Sequence, residues 1–472
     1  MERRKHHLAS IYLLLSRSLL ISGVVFSILV LNADISPAGE SRWNVNGFIK
    51  NASGYIISEH NRDLLKCENI LQIEPEFSPT ENIKFFGVFR GYYDAVFDLD
   101  KSGWTEDFRY KDEIRNNNAY TLSDPVRELY AETRWNKFFM RFGKQQVAWG
   151  KAIGMKMLDV INPQDMRELN QLDFEESRIS LWTANLIYNT PLRGSSLQLL
   201  LIPDIEPHYL PPAGHPFSDR NINSMQQLVD QGIIRLRESP TEGVNVPQDL
   251  SNMEIGVKWY HNLVDFEYSL NYFHHWSDLA GLYFDSFGSD GIPNYNMEYH
   301  RFHTLGGSFT NYFHNFFGLG DTILRGEVAA HINDRVSSMD PTAPILGIGM
   351  AESDSFNYMI AFDIWPFTNY YASFQFFQFI CLDHEDNYLV DEIDNSLSFF
   401  ITTDYMEERV FPDFLWFYTD DGDHWLRGRC RLKYTDKLAF TIGANFYFGG
   451  SDTFLGQYDD NDNIFVEIKC DF

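Results

Sequence analysis

Beyond Leu31 the hydrophobic pattern of this chain repeats every two residues, and short connections alternate with long ones along its length. A period of two places successive side chains on opposite faces of an extended backbone, so strands are the main element. Ile464, Val466, Ile468, Cys470 and Phe472 alternate with Phe465, Glu467, Lys469 and Asp471, and Val264, Phe266, Tyr268, Leu270 and Tyr272 alternate with Asp265, Glu267, Ser269 and Asn271. A soluble sandwich would alternate in the same way, so the connections discriminate. Short turns are predicted at 78–82, 136–137, 190–194, 261–262, 315–321, 366–369, 405–408 and 435–437. Generally longer, polar connections fall near 58–63, 99–125, 149–177, 203–251, 276–295, 334–352, 383–392, 420–424 and 450–461.

A sandwich gives no reason for that asymmetry, whereas an up-and-down barrel in a bacterial outer membrane has short periplasmic turns on one rim and longer outer loops on the other. The expected fold is therefore all-β, a transmembrane antiparallel β-barrel of about 18 strands, with 16 as the alternative count. The segments 409–419, which contains Pro412, and 195–202 alternate least clearly.

Composition narrows the class further. The 472 residues include 40 Phe, 25 Tyr and 10 Trp, and 44% are hydrophobic. Tyr and Trp at strand ends can rest in the headgroup region with their rings toward hydrocarbon; Tyr92-Tyr93, Trp259-Tyr260 and Tyr370-Tyr371 are candidates. A formal charge of -28 excludes nucleic acid as an expected partner. A basic start at Arg3-Arg4-Lys5, an apolar run from Leu19 to Leu31, and Ala33 and Ala38 beyond it read as a secretory signal over residues 1–38, cleaved near 33 or 38, which leaves 39–472 as one barrel domain. The run is too short to cross a bilayer as a helix.

Chemistry-bearing motifs are sparse. Cys67, Cys381, Cys430 and Cys470 show no metal-ligand spacing and suggest neither zinc nor a catalytic thiol; an exported chain could form a disulfide, but Cys67, Cys430 and Cys470 fall in register with apolar neighbours, which favours small hydrophobic packing. There is no GxSxG and no HExxH, and His300, His303 and the pair His274-His275 do not mark a site, so the chain is not expected to be an enzyme and no cofactor is implied.

The most informative charge pattern is Arg427, Arg429, Arg431 and Lys433, alternating with Leu426, Gly428, Cys430, Leu432 and Tyr434. If the apolar partners face lipid, the four cations face the lumen, because a charge on the lipid face costs roughly 2–4 kcal/mol near the midplane. The next strand offers Thr441, Gly443, Asn445 and Tyr447 on the matching face, leaving room for an anion beside the ladder. Alternatively the ladder pairs with lumenal carboxylates, for which Glu467, Asp265, Glu267 and Asp363 are the candidates.

A second conspicuous stretch runs from Gly143 through Trp149 and Lys151, and on from Leu158 to Glu168. Asn162-Pro163 favours a turn, and Asp159, Asp165, Arg167 and Glu168 can fix a compact loop by hydrogen bonds and ion pairs. Such a loop either folds into the barrel and narrows it or caps the rim. The segments 143–151 and 158–168, with Phe454 to Asp462 before the last strand, resemble the signature of the domain-of-unknown-function 1302 family of bacterial outer-membrane proteins. The resemblance implies a porin-like outer-membrane barrel of Gram-negative bacteria and supplies no substrate.

The leading expectation is a channel for small solutes, anionic or amphipathic, surrounded by outer-membrane lipid after Sec-type export. Phe472 and the alternating residues before it resemble the C-terminal strand signal read by the barrel-assembly machinery. A scaffold barrel enclosing a periplasmic partner, such as a multihaem cytochrome or an export component, is the alternative, and a membrane-embedded hydrolase the third.

Overall fold

The computed structural model describes residues 42–58, 62–99, 104–107, 125–237, 250–315, 318 and 320–472; the signal segment 1–38 lies outside the described residues. In chain order the strands are β1 (Trp43–Ile56), β2 (Leu64–Thr80), β3 (Ile83–Asp94), β4 (Val126–Trp135), β5 (Phe138–Gln145), β6 (Leu181–Asn189), β7 (Ser195–Ile202), β8 (Arg235–Leu236), β9 (Glu254–Asn262), β10 (Phe266–Trp276), β11 (Gly281–Phe287) and β12 (Pro293–Glu298). They continue with β13 (Arg301–Phe313), β14 (Thr322–Ile332), β15 (Arg335–Met339), β16 (Ile348–Glu352), β17 (Ser355–Phe367), β18 (Tyr370–Cys381), β19 (Ile393–Thr402), β20 (Val410–Thr419), β21 (His424–Lys433), β22 (Leu438–Phe448) and β23 (Asn463–Asp471).

Eighteen of these form a single antiparallel sheet in which each strand pairs with its neighbours in sequence, and β23 pairs back onto β1. Closure satisfies every edge, as a backbone surrounded by hydrocarbon requires. The seam runs from Phe48↔Asp471 to Ile56↔Asn463, and beyond it Gly47 and Phe472 exchange backbone hydrogen bonds of 3.1 and 2.9 Å. The remaining five strands lie in the long connections, β8, β11 and β12 as one small sheet and β15–β16 as another. They add structure to segments read from sequence as irregular loops and leave the barrel count at eighteen.

Alternation fixes the two faces of the wall. On β10, Leu270 is 61% exposed whereas Ser269 and Asn271 are 3% and 5% exposed. The exposed set on neighbouring strands is likewise apolar, with Trp259, Leu305, Val328, Ile360 and Phe374 among it, and makes a face suited to lipid. The paired aromatics cannot both belong to it. Tyr93 and Trp259 are exposed, but the Tyr92 hydroxyl donates to Glu68 and the Tyr260 hydroxyl to Glu267, each at 2.5 Å, so Tyr92 and Tyr260 turn inward. All four cysteines are unpaired. Pro412 is accommodated near the short-turn end of β20, where it pairs with Cys430 and its carbonyl accepts from the Thr403 N–H.

The long connections share one rim and the short turns the other. A cysteine placed at Gln226, in the helix Arg220–Asp230 of the longest connection, is expected to react with an impermeant maleimide on intact cells, and one at Asn369, in the β17–β18 turn, only after the outer membrane is permeabilised. The opposite labelling pattern would invert the topology.

Candidate functional site

The connection from β5 to β6, residues 146–180, folds into the barrel and is bonded across it. Two glycines let it begin. Gly143 sits at φ +136°, and a Cβ there would meet the Leu129 carbonyl oxygen at 2.2 Å; a Cβ on Gly150 would meet Asp159 at 2.8 Å. Buried Asp159 accepts from the Trp149 N–H at 3.1 Å and from Arg178 at 2.8 Å. Asn162, fully buried, accepts from the Val147 N–H and donates to the Ile179 carbonyl, both at 2.7 Å. The two ends of the loop are thereby stapled together. Trp149 packs with Leu181, Leu200, Ile202 and Phe273, and its indole N–H donates to Gln198 at 3.0 Å. All three are buried, and their bonds and packing build the loop.

Farther along, the loop reaches the far wall. The Glu327 carboxylate of β14 accepts two loop backbone donors, the Lys151 N–H and, at 3.0 Å, the Leu158 N–H. Gln375 of β18 holds Ile153 in both directions, accepting its N–H at 2.9 Å and donating to its carbonyl at 2.8 Å. The Lys151 ammonium bonds Glu267 of β10 and, at 2.8 Å, Thr310 of β13. Met157 packs on Met359, Ala361 and Phe377. Returning, Glu168 meets the Lys66 ammonium of β2 at 2.6 Å, and Glu176 meets Arg90 of β3 at 2.8 Å. Burial and the neighbouring Glu68 charge push the Glu168 carboxyl up against the pull of Lys66. Burial also opposes ionisation of Glu176, but Arg90 and Arg127 overcome it and hold that carboxyl at about 2. Asp165 and Arg167 pair with each other.

Between this returning segment and β2–β4 remains a cavity of about 150 Å³, lined by charges of both signs that include Lys66, Glu68, Arg90, Arg127, Arg167 and Glu168. Above it, Phe217 from the 203–253 connection packs with Leu169, Trp425, Tyr447, Leu455 and Tyr458 into an apolar cluster inside the barrel.

The basic ladder faces the lumen and divides in two. Arg429 donates to Asp413 at 2.8 Å and to loop residue Asp173 at 3.1 Å, while Arg427 lies 3.5 Å from Asp173 and 3.9 Å from Asp413. Arg431 and Lys433, nearer the short-turn rim, make no ion pair among the described residues; they stand 4.8 and 4.7 Å from the centroid of the Phe411 ring. The carboxylates expected to neutralise the ladder do not. Glu467 lies 3.9 Å from Lys50, Glu267 pairs with Lys151, Asp363 pairs with Arg325, and Asp265 lies 4.0 Å from His314. Asp265, Glu267 and Asp363 belong to the turn before β10, to β10 and to β17, four or more strands around the wall from β21, whereas Glu467 stands only two strands away, opposite Thr441 and so level with Arg431, with its ion pair made to Lys50.

The model of the family described as protein of unknown function, DUF1302, matches residues 57–381, more than two thirds of the chain. The chain belongs to the DUF1302 family. The signature segments 143–151 and 158–168 lie within the match and form the DUF1302 loop just described, whereas 454–462 lies beyond it. No curated protein matches the sequence. Solved structures share the fold at low identity. OccAB2 of Acinetobacter baumannii aligns with a TM-score of 0.52 and 10% identity over 91% of this chain and 98% of that one. OccAB1 of the same organism gives 0.50 and 8% over 91% and 96%, and OccK8 (OprE) of Pseudomonas aeruginosa gives 0.50 and 8% over 91% and 97%. This DUF1302 chain therefore has the closed 18-stranded barrel fold of outer-membrane porins.

Sequence reading missed Glu327, Gln375 and Asp173, which tie the loop to the wall. Their only local signal is that Glu327 and Gln375 occupy inward positions of strands whose other face is apolar, a signal many lumenal polar residues share.

Proposed function

We propose that the chain is a porin-like channel of the Gram-negative outer membrane for small solutes, with loop 146–180 forming its constriction and the lower ladder biasing passage toward anions with an apolar body. The observation that supports this reading is the pair Arg431 and Lys433: two cations with no ion pair among the described residues, set on one aromatic ring next along the strand from the arginines that the loop's Asp173 meets. In a narrow, low-dielectric passage such cations concentrate anions, and the Phe411 ring offers apolar contact to the rest of the solute. The scaffold reading is less well supported, because the space that a periplasmic partner would occupy is taken by the chain's own loop.

The test is a planar bilayer with a salt gradient. The purified barrel should conduct, and Arg431→Gln with Lys433→Gln should shift its reversal potential toward cation selectivity without reducing the yield of folded barrel. The shift should shrink at high salt as the field is screened. An unchanged reversal potential would remove these two residues from the conducting path, and a barrel that never conducts would remove the channel.

A further inference from the structure

The charges of the barrel are separated along its axis. Three neighbouring connections of the long-loop rim, 382–392, 420–423 and 449–462, hold twelve Asp and Glu residues and no Lys or Arg. Ten of the twelve are exposed, among them Asp383, Glu385, Asp391, Asp420, Asp421 and Asp452. Their fields overlap: burial, then Asp391, Asp420, Asp423 and Asp452 from all three connections, raises the Asp421 carboxyl. Directly below, β21 descends from connection 420–423 carrying Arg427, Arg429, Arg431 and Lys433 inward. Asp413 and Asp173 offset the upper two cations, and the lower two have no such partner among the described residues. The turns closing this sector at the other rim, 403–409 and 434–437, hold four acidic and two basic residues, so the ladder brings that end close to neutrality. In this sector the wall is thus strongly negative at one mouth and close to neutral at the other, with the ladder's cations between.

We propose that this axial charge separation makes the barrel a rectifying conductor that passes more current when the long-loop side is positive than when it is negative. The inference rests on the channel reading above and adds to it a direction. With the long-loop side positive, cations concentrated at the acidic mouth are driven inward, and anions concentrated at the ladder are driven toward them. Both carriers accumulate where the fixed charge changes, and conductance rises. Reversing the field draws both away from that zone and depletes it. The same arrangement makes the outer mouth repel anions arriving from outside, whereas the ladder draws them from the short-turn side. The acidic mouth and the ladder therefore have distinct effects, on access and on passage.

The experiment is a current–voltage curve of the full-length barrel in a planar bilayer, with insertion direction fixed by biotinylating Gln226→Cys and adding streptavidin to either chamber. At 0.1 M salt the Debye length is about 10 Å and the ratio of currents at opposite polarities should be about twofold; at 1 M, where it is about 3 Å, the ratio should approach one. The variant D383N/E385Q/D386N/D391N/E392Q, which changes only exposed side chains, should lower the ratio at 0.1 M and leave conductance at 1 M unchanged. An open channel with a symmetric curve at 0.1 M, or with the larger current at the opposite polarity, would overturn rectification while leaving the channel reading intact. Folded barrel that conducts at neither salt concentration would overturn both.

Discussion

Barrels carrying Glu327→Gln together with Gln375→Leu are expected to show severalfold higher single-channel conductance than the parent, with the loop between Lys151 and Leu158 newly open to protease. Glu327 is 1% exposed, and its two oxygens each accept one backbone N–H of that segment. An amide keeps one acceptor and turns an NH₂ toward the other donor, which leaves a buried N–H unsatisfied at a cost of about 1–3 kcal/mol. Removing the Gln375 amide deletes both bonds to Ile153. The staple formed by Asp159, Asn162 and Arg178 is untouched, so the loop should stay attached at its ends while its crossing detaches from the far wall. The strand pairings remain as they were, and heat-modifiable mobility should be retained. If conductance and protease resistance both stay at parental values, these contacts do not set the constriction.

The barrel was legible in the sequence because its determinants are local. A turn such as Asn136-Lys137 is marked by its own residues, and the strands on either side alternate independently of anything distant. Even Pro412, a reason to question β20, proved compatible with a strand end. One turn was placed slightly early, since β9 runs on through Asn262 and the chain reverses at 263–265. The interior was less legible because its contacts join residues far apart in sequence. Lys66 meets Glu168 across 102 positions, and Lys151 meets Glu327 across 176. Charge alone does not distinguish among the many lumenal carboxylates that could pair with the ladder.

One ladder partner could have been counted out. The β20–β21 connection is only four residues long, and continuing the register from it puts Asp413 opposite Arg429. Asp173 could not have been, because it depends on a loop whose inward path is set by glycines and by anchors on other strands. Internal neutralisation consequently accounts for the upper half of the ladder and leaves only the lower half to the proposed conducting surface.

That division predicts opposite outcomes for the two halves. Arg427→Gln with Arg429→Gln is expected to cut the yield of folded barrel sharply, unlike the change at Arg431 and Lys433. The Asp413 side chain is only 10% exposed and has no other cation partner among the described residues, so the double substitution strands a carboxylate inside the wall. Breaking a buried pair from one side costs about 3–5 kcal/mol, a large share of the stability of most proteins, and the loop would also lose its hold at Asp173. Asp413→Asn added to the same variant removes the stranded charge and should restore much of the yield, measured as heat-modifiable barrel in outer-membrane fractions. Full yield from the double variant alone would show that Asp413 is neutralised by some other means, and failure of the triple variant to recover would point to lost packing of the arginine side chains, Arg427 over the Trp425 ring at 5.6 Å above all.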